Sequence, residues 1–293
     1  MQRLLRTAMS LMKLLGPVVF VLFMTPLLGD PCLAGDEKRE ADFAEGINKT
    51  LTMGKAVWLE SEGKKFLGLY TETEKTFGKG VAIILHDMDG HPDQQQLIYG
   101  LRVFLPEHNW ATLSLQMPLR EVGVEKEEYY ALFPEAAARI QAGINYVKAN
   151  GAGDVAVVGY GLGGLMGIYA LSEQAMDIKA LVTISLPVPI TENKAARTLE
   201  LIKKTKIPML DIYGALDVPD VTKSARERRL AAKDNTDYRQ IKINDEGHAY
   251  LHDEGLLVKR IYSWLGVTVG ATSATDKDGK KISDMDVSGG SPP

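Results

Sequence analysis

The chain has 293 residues, of which 45% are hydrophobic and 25% are charged, which is an ordinary composition for a globular protein. This length is sufficient for one sizeable domain with its own hydrophobic core. The formal net charge is −4, and basic residues are dispersed among acidic ones, which excludes the basic field typical of a nucleic-acid-binding protein.

The first 34 residues have the pattern of a secretory signal peptide. A basic head precedes an apolar run over residues 14–28, and small residues end the segment at Ala34. The run is shorter than the about 20 residues that a membrane span needs. We therefore expect a periplasmic or secreted protein that contacts a membrane only if the signal segment stays uncleaved. Cleavage after Ala34 would also remove Cys32, the only cysteine, and with it any disulfide or thiol chemistry.

A charged segment at residues 35–50 is expected to be flexible, and strands and helices are then predicted to alternate up to residue 268. The predicted elements are a hairpin at 52–73, a strand at 80–85, a helix at 94–105, a strand at 110–115, a helix at 127–149, a strand at 155–160 with a glycine turn and a helix, a strand at 180–185, a helix at 192–205, a strand at 208–213, a helix at 221–233, a strand at 238–243 and a helix at 256–265. Because apolar strands alternate with helices, the pattern predicts one α/β domain at 51–268, with a mainly parallel sheet covered on both faces. The short connections leave no room for a large lid domain. Residues 269–293 lack the apolar residues to bury themselves and are predicted to be a disordered tail.

The glycine turn has the spacing of a dinucleotide-binding loop. Gly159, Gly161 and Gly164 follow a strand and precede a helix, so backbone amides there could face a pyrophosphate. Such a site needs a carboxylate at the end of the next strand to hold the ribose, and that strand ends at Ser185 without one. No cofactor is predicted.

The segment "AIILHDMDGH" resembles the nucleophile motif of the haloacid dehalogenase superfamily. This resemblance implies a phosphatase in which Asp87 is the nucleophile and Asp89 is the acid. The residues implied for phosphate and magnesium are Ser185, Lys203 or Lys204, and Asp217. The resemblance covers few residues, and it gives no role to the glycine turn.

A third interpretation rests on the order of three motifs. In "GYGLG", Gly161 stands where the α/β-hydrolase superfamily has the serine of G-x-S-x-G, Asp217 follows a later strand, and His248 follows the last one. The sequence resembles this pattern and, over about residues 50–268, it is similar to an uncharacterised family of secreted bacterial α/β-hydrolase-like proteins. The resemblance implies a sheet of α/β-hydrolase type, export, and a catalytic centre that lacks the serine. The oxyanion-hole candidates are Asp87, Met88 and Leu162.

Two departures from the hydrolase pattern affect the chemistry. Gly161 has no side-chain oxygen, and loss of a serine nucleophile costs about a millionfold in turnover. Carboxylates at Asp87 and Asp89 would oppose the stabilisation of an oxyanion. We therefore predict a catalytically degenerate binding or scaffold protein of the cell envelope, with a small molecule or an envelope protein as its unidentified ligand. The alternative is an unconventional hydrolase in which His248, oriented by Asp217, activates a water in the space of the missing hydroxymethyl group.

The polar loop after the strand at 80–85 also raises a metal hypothesis. Its candidate ligands are His86, Asp87, Asp89, His91 and Asp93. Their spacing could direct oxygen and imidazole ligands at one cation. A solvated polar loop is the competing interpretation, and no metal is assigned from the sequence.

Overall fold

The computed structural model of the protein describes residues 35–73 and 80–269. The predicted signal peptide and residues 270–293 of the predicted tail lie outside the described residues. The strands are β1 (Lys55–Ser61), β2 (Lys64–Thr71), β3 (Gly80–Leu85), β4 (Trp110–Leu115), β5 (Val155–Tyr160), β6 (Ala180–Ile184), β7 (Met209–Gly214) and β8 (Tyr238–Ile243). The α-helices are α1 (Glu37–Thr50), α2 (Leu97–Glu107), α3 (Lys126–Tyr129), α4 (Phe133–Ala149), α5 (Leu162–Glu173), α6 (Thr198–Lys204), α7 (Pro219–Thr222), α8 (Ala225–Ala231) and α9 (Glu254–Thr268).

The eight strands form one sheet in the order β1-β2-β4-β3-β5-β6-β7-β8. The pairs β1–β2 and β2–β4 are antiparallel, and every later pair is parallel. This confirms the predicted mainly parallel sheet. Because the carboxyl ends of parallel strands lie at one edge, the loops that follow β3 to β8 converge there. We call this edge the carboxyl edge.

Hydrophobic cores lie on both faces of the sheet, as the apolar strands predict. One core packs α4, α5 and α6 against the sheet through residues such as Ile140, Leu165 and Leu201. The other packs α2 and α9 through Leu101 and Ile261. Strands β3 to β7 are buried over nearly their whole length because helices cover both faces.

The prediction of a flexible segment at 35–50 was wrong, because residues 37–50 form helix α1. Ala44 and Ile47 pack against Leu67 and Leu69 of β2. Glu40 is also buried, and its carboxylate lies 2.8 Å from the guanidinium of a buried arginine on α4. The domain therefore begins before residue 51.

Three predicted helices are divided in the structure, among them the one at 221–233, which consists of α7 and α8. The predicted helix at 127–149 consists of α3, a 3-10 turn at Tyr130–Leu132 and α4, whose first turn contains Pro134. Proline suits a first helical turn because its missing N–H would have no intrahelical partner there. Between β6 and β7 the chain forms a 3-10 turn and α6, so no lid domain is inserted. No helix within residues 35–73 and 80–269 has the length and hydrophobicity to cross a membrane.

Candidate functional site

The glycine turn between β5 and α5 is a tight elbow at the carboxyl edge. Gly161 has a φ of 53° and a ψ of −119°, a conformation that glycine adopts without strain from a side chain. A Cβ at Gly159 would lie 2.5 Å from the Cα of Gly164, and one at Gly163 would lie 2.3 Å from the carbonyl oxygen of His86. Gly159 and Gly163 are therefore needed because the strand, the helix and the neighbouring loop pack closely here. This packing explains the glycine-rich turn without a bound dinucleotide.

The structure brings Asp217 and His248 together at this edge. Asp217 lies in the turn after β7, and its Oδ1 is 2.8 Å from Nδ1 of His248, which follows β8. The hydroxyl of Ser185 and the backbone N–H of Val218 also donate to the Asp217 carboxylate. The Tyr160 hydroxyl donates to the carbonyl oxygen of His248 at 2.9 Å. The pair is thus held in place by neighbours from β5, β6 and β7.

The side chain of Asp87 occupies the space beside Gly161. Its Oδ2 lies 2.9 Å from Nε2 of His248, and its Oδ1 accepts hydrogen bonds from the backbone N–H groups of Met88 (2.7 Å) and Leu162 (2.6 Å). A Cβ built on Gly161 would lie only 2.2 Å from Cγ of Asp87. The space of the missing hydroxymethyl group, which the alternative of an unconventional hydrolase assigns to a water, is therefore occupied by the Asp87 carboxylate. The backbone N–H groups of Met88 and Leu162 point at one place, as expected of an oxyanion hole, and the anion that they bind there is the Asp87 carboxylate.

His248 lies between two carboxylates. Burial opposes the charged form of His248. This effect is outweighed by the hydrogen bonds that the ring donates to the carboxylates of Asp217 and Asp87 and by the attraction of their charges, which together raise the pKa of His248 to about 10. Burial also opposes ionisation of Asp217, but hydrogen bonds from His248 and Ser185 leave its pKa below the ordinary value. The raised pKa favours the imidazolium form at neutral pH, and an imidazolium has no lone pair with which to act as a general base.

Apolar side chains close the centre on the side of Asp87 that faces the core. The space next to its carboxylate admits no water-sized sphere. The residues that line it include Met88, Met117, Leu119, Tyr129 and Met166. His248 keeps 32% of its side-chain surface exposed and Asp87 keeps 20%, so solvent reaches the centre from the side of this pair.

The candidate metal ligands are directed at separate partners. Asp89 pairs with Arg39 at 2.6 Å, and Asp93 pairs with Arg102 at 2.5 Å. Nε2 of His86 accepts the N–H of Met117, and burial lowers the pKa of His86 to about 4, so this ring is neutral. Nδ1 of His91 accepts the N–H of Asp93 at 3.2 Å. Within the described ranges, no three histidine, cysteine, aspartate or glutamate side chains are grouped to hold a metal ion.

The residues that the phosphatase interpretation names also have other partners. Asp87 and Asp217 both bind His248, and Asp89 binds an arginine. Ser185 is buried and contacts Asp217 and the hydroxyl of Tyr250. Lys203 and Lys204 are exposed on α6. Sequence reasoning missed that the Asp87 side chain enters the elbow. The available signal was the coincidence of a missing side chain at residue 161 with an extra carboxylate in the facing loop.

Comparison with known proteins agrees with this fold. The sequence matches the family described as "Protein of unknown function (DUF3530)" over residues 34–138 and 125–266. No curated protein matches the chain. The structure is similar to Est1E from Butyrivibrio proteoclasticus, with 18% identity, a TM-score of 0.58, and coverage of 73% of this chain and 99% of that one. It is also similar to the Pyrococcus furiosus esterase Pf2001, with 17% identity, a TM-score of 0.61, and coverage of 76% and 94%. For an alpha-beta serine hydrolase homologue from Coxiella burnetii the identity is 14%, the TM-score is 0.57, and the coverage is 73% and 98%. These likenesses show an α/β-hydrolase fold.

Proposed function

Since the chain belongs to the family described as "Protein of unknown function (DUF3530)", we propose its function from the site itself: a binding or scaffold protein of the cell envelope, built on an α/β-hydrolase fold whose catalytic centre is closed. One observation carries this proposal. The Asp87 carboxylate stands where a nucleophilic side chain at residue 161 would stand, and it binds both the oxyanion amides and His248.

Gly161 and Asp87 together oppose three separate steps of ester hydrolysis. Residue 161 offers no oxygen to attack an acyl carbon, and the Asp87 side chain excludes a water from that position. The two amides that would stabilise an oxyanion already bind an anion. The imidazole that would accept a proton has a raised pKa, which favours the form that already carries that proton. Each loss alone would lower the rate, and together they argue for a role in binding.

The carboxyl edge also exposes apolar side chains around the closed centre. Of the ten large hydrophobic residues exposed in the described part of the chain, five lie in loops at this edge. They are Val122 after β4, Ile190 after β6, Leu216 and Val218 after β7, and Leu251 after β8. Exposed apolar residues that share one region typically mark an interaction site. This supports an envelope protein or a small apolar molecule as the ligand of this edge. Export of the protein rests on the signal-peptide pattern of residues 1–34.

The intact Asp217–His248 pair is the one observation that favours an unconventional hydrolase. In that case the Asp87 side chain would have to leave the elbow so that a water could enter. A screen of p-nitrophenyl esters of increasing chain length separates the two functions when the wild type is compared with His248→Ala. We expect no turnover that depends on His248. Turnover by the wild type that the substitution abolishes would establish the hydrolase and refute the closed centre.

Export is tested independently of the chemistry. N-terminal sequencing of the protein from the envelope fraction of expressing bacteria should give a chain that starts at Gly35. An uncleaved chain in the cytosolic fraction would contradict export without affecting the proposal for the site.

A further inference from the structure

The last strand of the sheet borders a groove that is separate from the closed centre. β8 pairs with β7 on one side only, and no described strand pairs with its other side. A groove of about 370 Å³ runs between β8 and α9. Its floor contains Ile241, Leu256 and Trp264, and its rim contains Arg239, Lys259 and Arg260. We call this feature the β8 groove.

The sequence periodicities of the two elements produce this lining. Arg239 and Ile241 share one face of β8 with Ile243, which lies in the core that α9 covers. Leu256, Arg260 and Trp264 are spaced by four residues and therefore share one face of α9. Apolar side chains consequently lie at the bottom of the groove, with charged ones around it.

The charge of the rim is of one sign. Arg239, Lys259 and Arg260 are exposed, and none of them forms an ion pair with a described side chain. The whole chain has a formal net charge of −4, so this groove is cationic on a protein that is acidic elsewhere. The complementary ligand is an anion with apolar parts.

We infer that the β8 groove binds an extended, acidic peptide segment of a partner protein, which adds to the sheet as a ninth strand beside β8. The open edge of β8 offers backbone N–H and C=O groups for such a strand. Side chains of the added strand would alternate between the two faces of the sheet, and those on the α9 side would lie beside the cationic rim. A segment that alternates Asp or Glu with valine-like residues can therefore place every carboxylate on the side of the rim.

Two other occupants fit the groove less well. A second copy pairing through its own β8 would bring Arg239 and Lys242 near the same residues of its partner, and like charges across a strand pair oppose association. A lipid bilayer presents a flat surface, which cannot follow a concave groove between a strand and a helix. The β8 groove shares no lining residue with the closed centre, so this inference stands whether or not the proposed function is correct.

The binding test uses a fluorescein-labelled hexapeptide of alternating aspartate and valine. Fluorescence anisotropy at low salt should give a dissociation constant below about 1 mM. A peptide with three aspartates followed by three valines should bind at least tenfold more weakly, because its side chains cannot alternate. An alternating lysine and valine peptide should not bind. Hydrogen exchange should slow at backbone amides of residues 238–243 when the first peptide is added.

Charge reversal on α9 locates the site. The double variant Lys259→Glu with Arg260→Glu should weaken binding of the alternating acidic peptide by at least about tenfold, because two attractive contacts become repulsive. The matched control reverses Arg226 and Arg229, which are exposed on α8 and unpaired among the described side chains. This control should retain the affinity. Circular dichroism establishes that both variants fold.

Several results would overturn the inference. The first is that the alternating acidic peptide does not bind. The second is that the two double variants lose peptide affinity to the same extent. The third is that the peptide binds but leaves hydrogen exchange at the 238–243 amides unchanged. Sedimentation showing a dimer, together with slowed exchange of the 238–243 amides in that dimer, would instead assign the groove to a second copy. Binding to phosphatidylglycerol vesicles that requires Lys259 and Arg260, without peptide binding, would assign it to a membrane.

Discussion

Restoring a nucleophile tests how completely the hydrolase centre is preserved beneath Asp87. The perturbation is the double variant Asp87→Ala with Gly161→Ser. Oδ2 of Asp87 lies 2.3 Å from the Cβ that a residue at 161 would have, and 2.9 Å from Nε2 of His248. A hydroxyl one bond beyond that Cβ therefore falls within reach of the imidazole once the Asp87 carboxylate is removed.

The expected magnitude follows from the contacts that change. Gly161→Ser alone puts a Cβ 2.2 Å from Cγ of Asp87 and places a non-glycine residue at a φ of 53°. The backbone strain alone costs about 1–2 kcal/mol, and the displaced carboxylate would still compete for His248. The double variant removes the clash and frees the amides of Met88 and Leu162. A serine nucleophile contributes about a millionfold in turnover in an evolved enzyme. Because apolar residues such as Met117 and Met166 close the centre on the side that faces the core, we expect a smaller gain, of about a thousandfold over the wild type.

The assay combines p-nitrophenyl acetate turnover with fluorophosphonate labelling, read by mass spectrometry at position 161. Both signals should appear in the double variant and be lost when His248→Ala is added. The Asp87→Ala variant alone should show neither signal because it has no nucleophile. A double variant that folds and has neither activity would refute the claim that Asp217, His248 and the two amides form an assembled centre. Equal activity in Gly161→Ser alone would refute the claim that Asp87 blocks it.

Three further predictions concern stability. Because the folded state raises the pKa of His248, protonation of this residue stabilises the fold fully below pH about 6.5, and this contribution is lost as the pH rises towards about 10. The free energy of unfolding measured in urea should therefore fall between these pH values. It should fall less steeply in Asp87→Asn, which removes one of the two carboxylates that raise the pKa. Glu40→Gln should lower the free energy of unfolding by about 1–3 kcal/mol, because the buried guanidinium of Arg139 loses one of its two counter-charges and keeps only Glu135. A change below about 0.5 kcal/mol would mean that α1 contributes little to the stability of the domain. Gly159→Ala should lower the free energy of unfolding by about 1–3 kcal/mol, because its Cβ would collide with the start of helix α5. The control Gly46→Ala, whose Cβ meets nothing within 4 Å, should be neutral or stabilising. Equal effects of the two substitutions would contradict the packing role of Gly159.

Much of the sheet could be predicted because its strands are covered on both faces. The strand predicted at 80–85 coincides with β3, and the one at 155–160 coincides with β5, since each is a short apolar run bounded by polar residues. Helix α1 was missed because charged residues outnumber apolar ones there. Its burial depends on β2 and on a buried arginine about a hundred positions further along the chain, which local sequence does not reveal.

The order of motifs placed Asp217 and His248 at one edge because strand order in a parallel sheet determines which loops meet. It could not give the direction of the Asp87 side chain. That direction depends on the two amides it binds and on the absence of a Cβ at Gly161, both of which arise only in the folded chain. The two departures from the hydrolase pattern were each visible in the sequence, but the sequence did not show that one fills the space left by the other.

The charge state of His248 tests the central claim most directly. The ¹⁵N and ¹H signals of its imidazole can be assigned among the five histidines by comparison with His248→Gln and then followed from pH 5 to pH 11. With Asp87 seated against the ring, the imidazole is doubly protonated at pH 8, titrates near pH 10, and titrates at a lower pH in Asp87→Asn. A neutral ring at pH 8 in the wild type, or a titration that Asp87→Asn leaves unchanged, would contradict the closed centre.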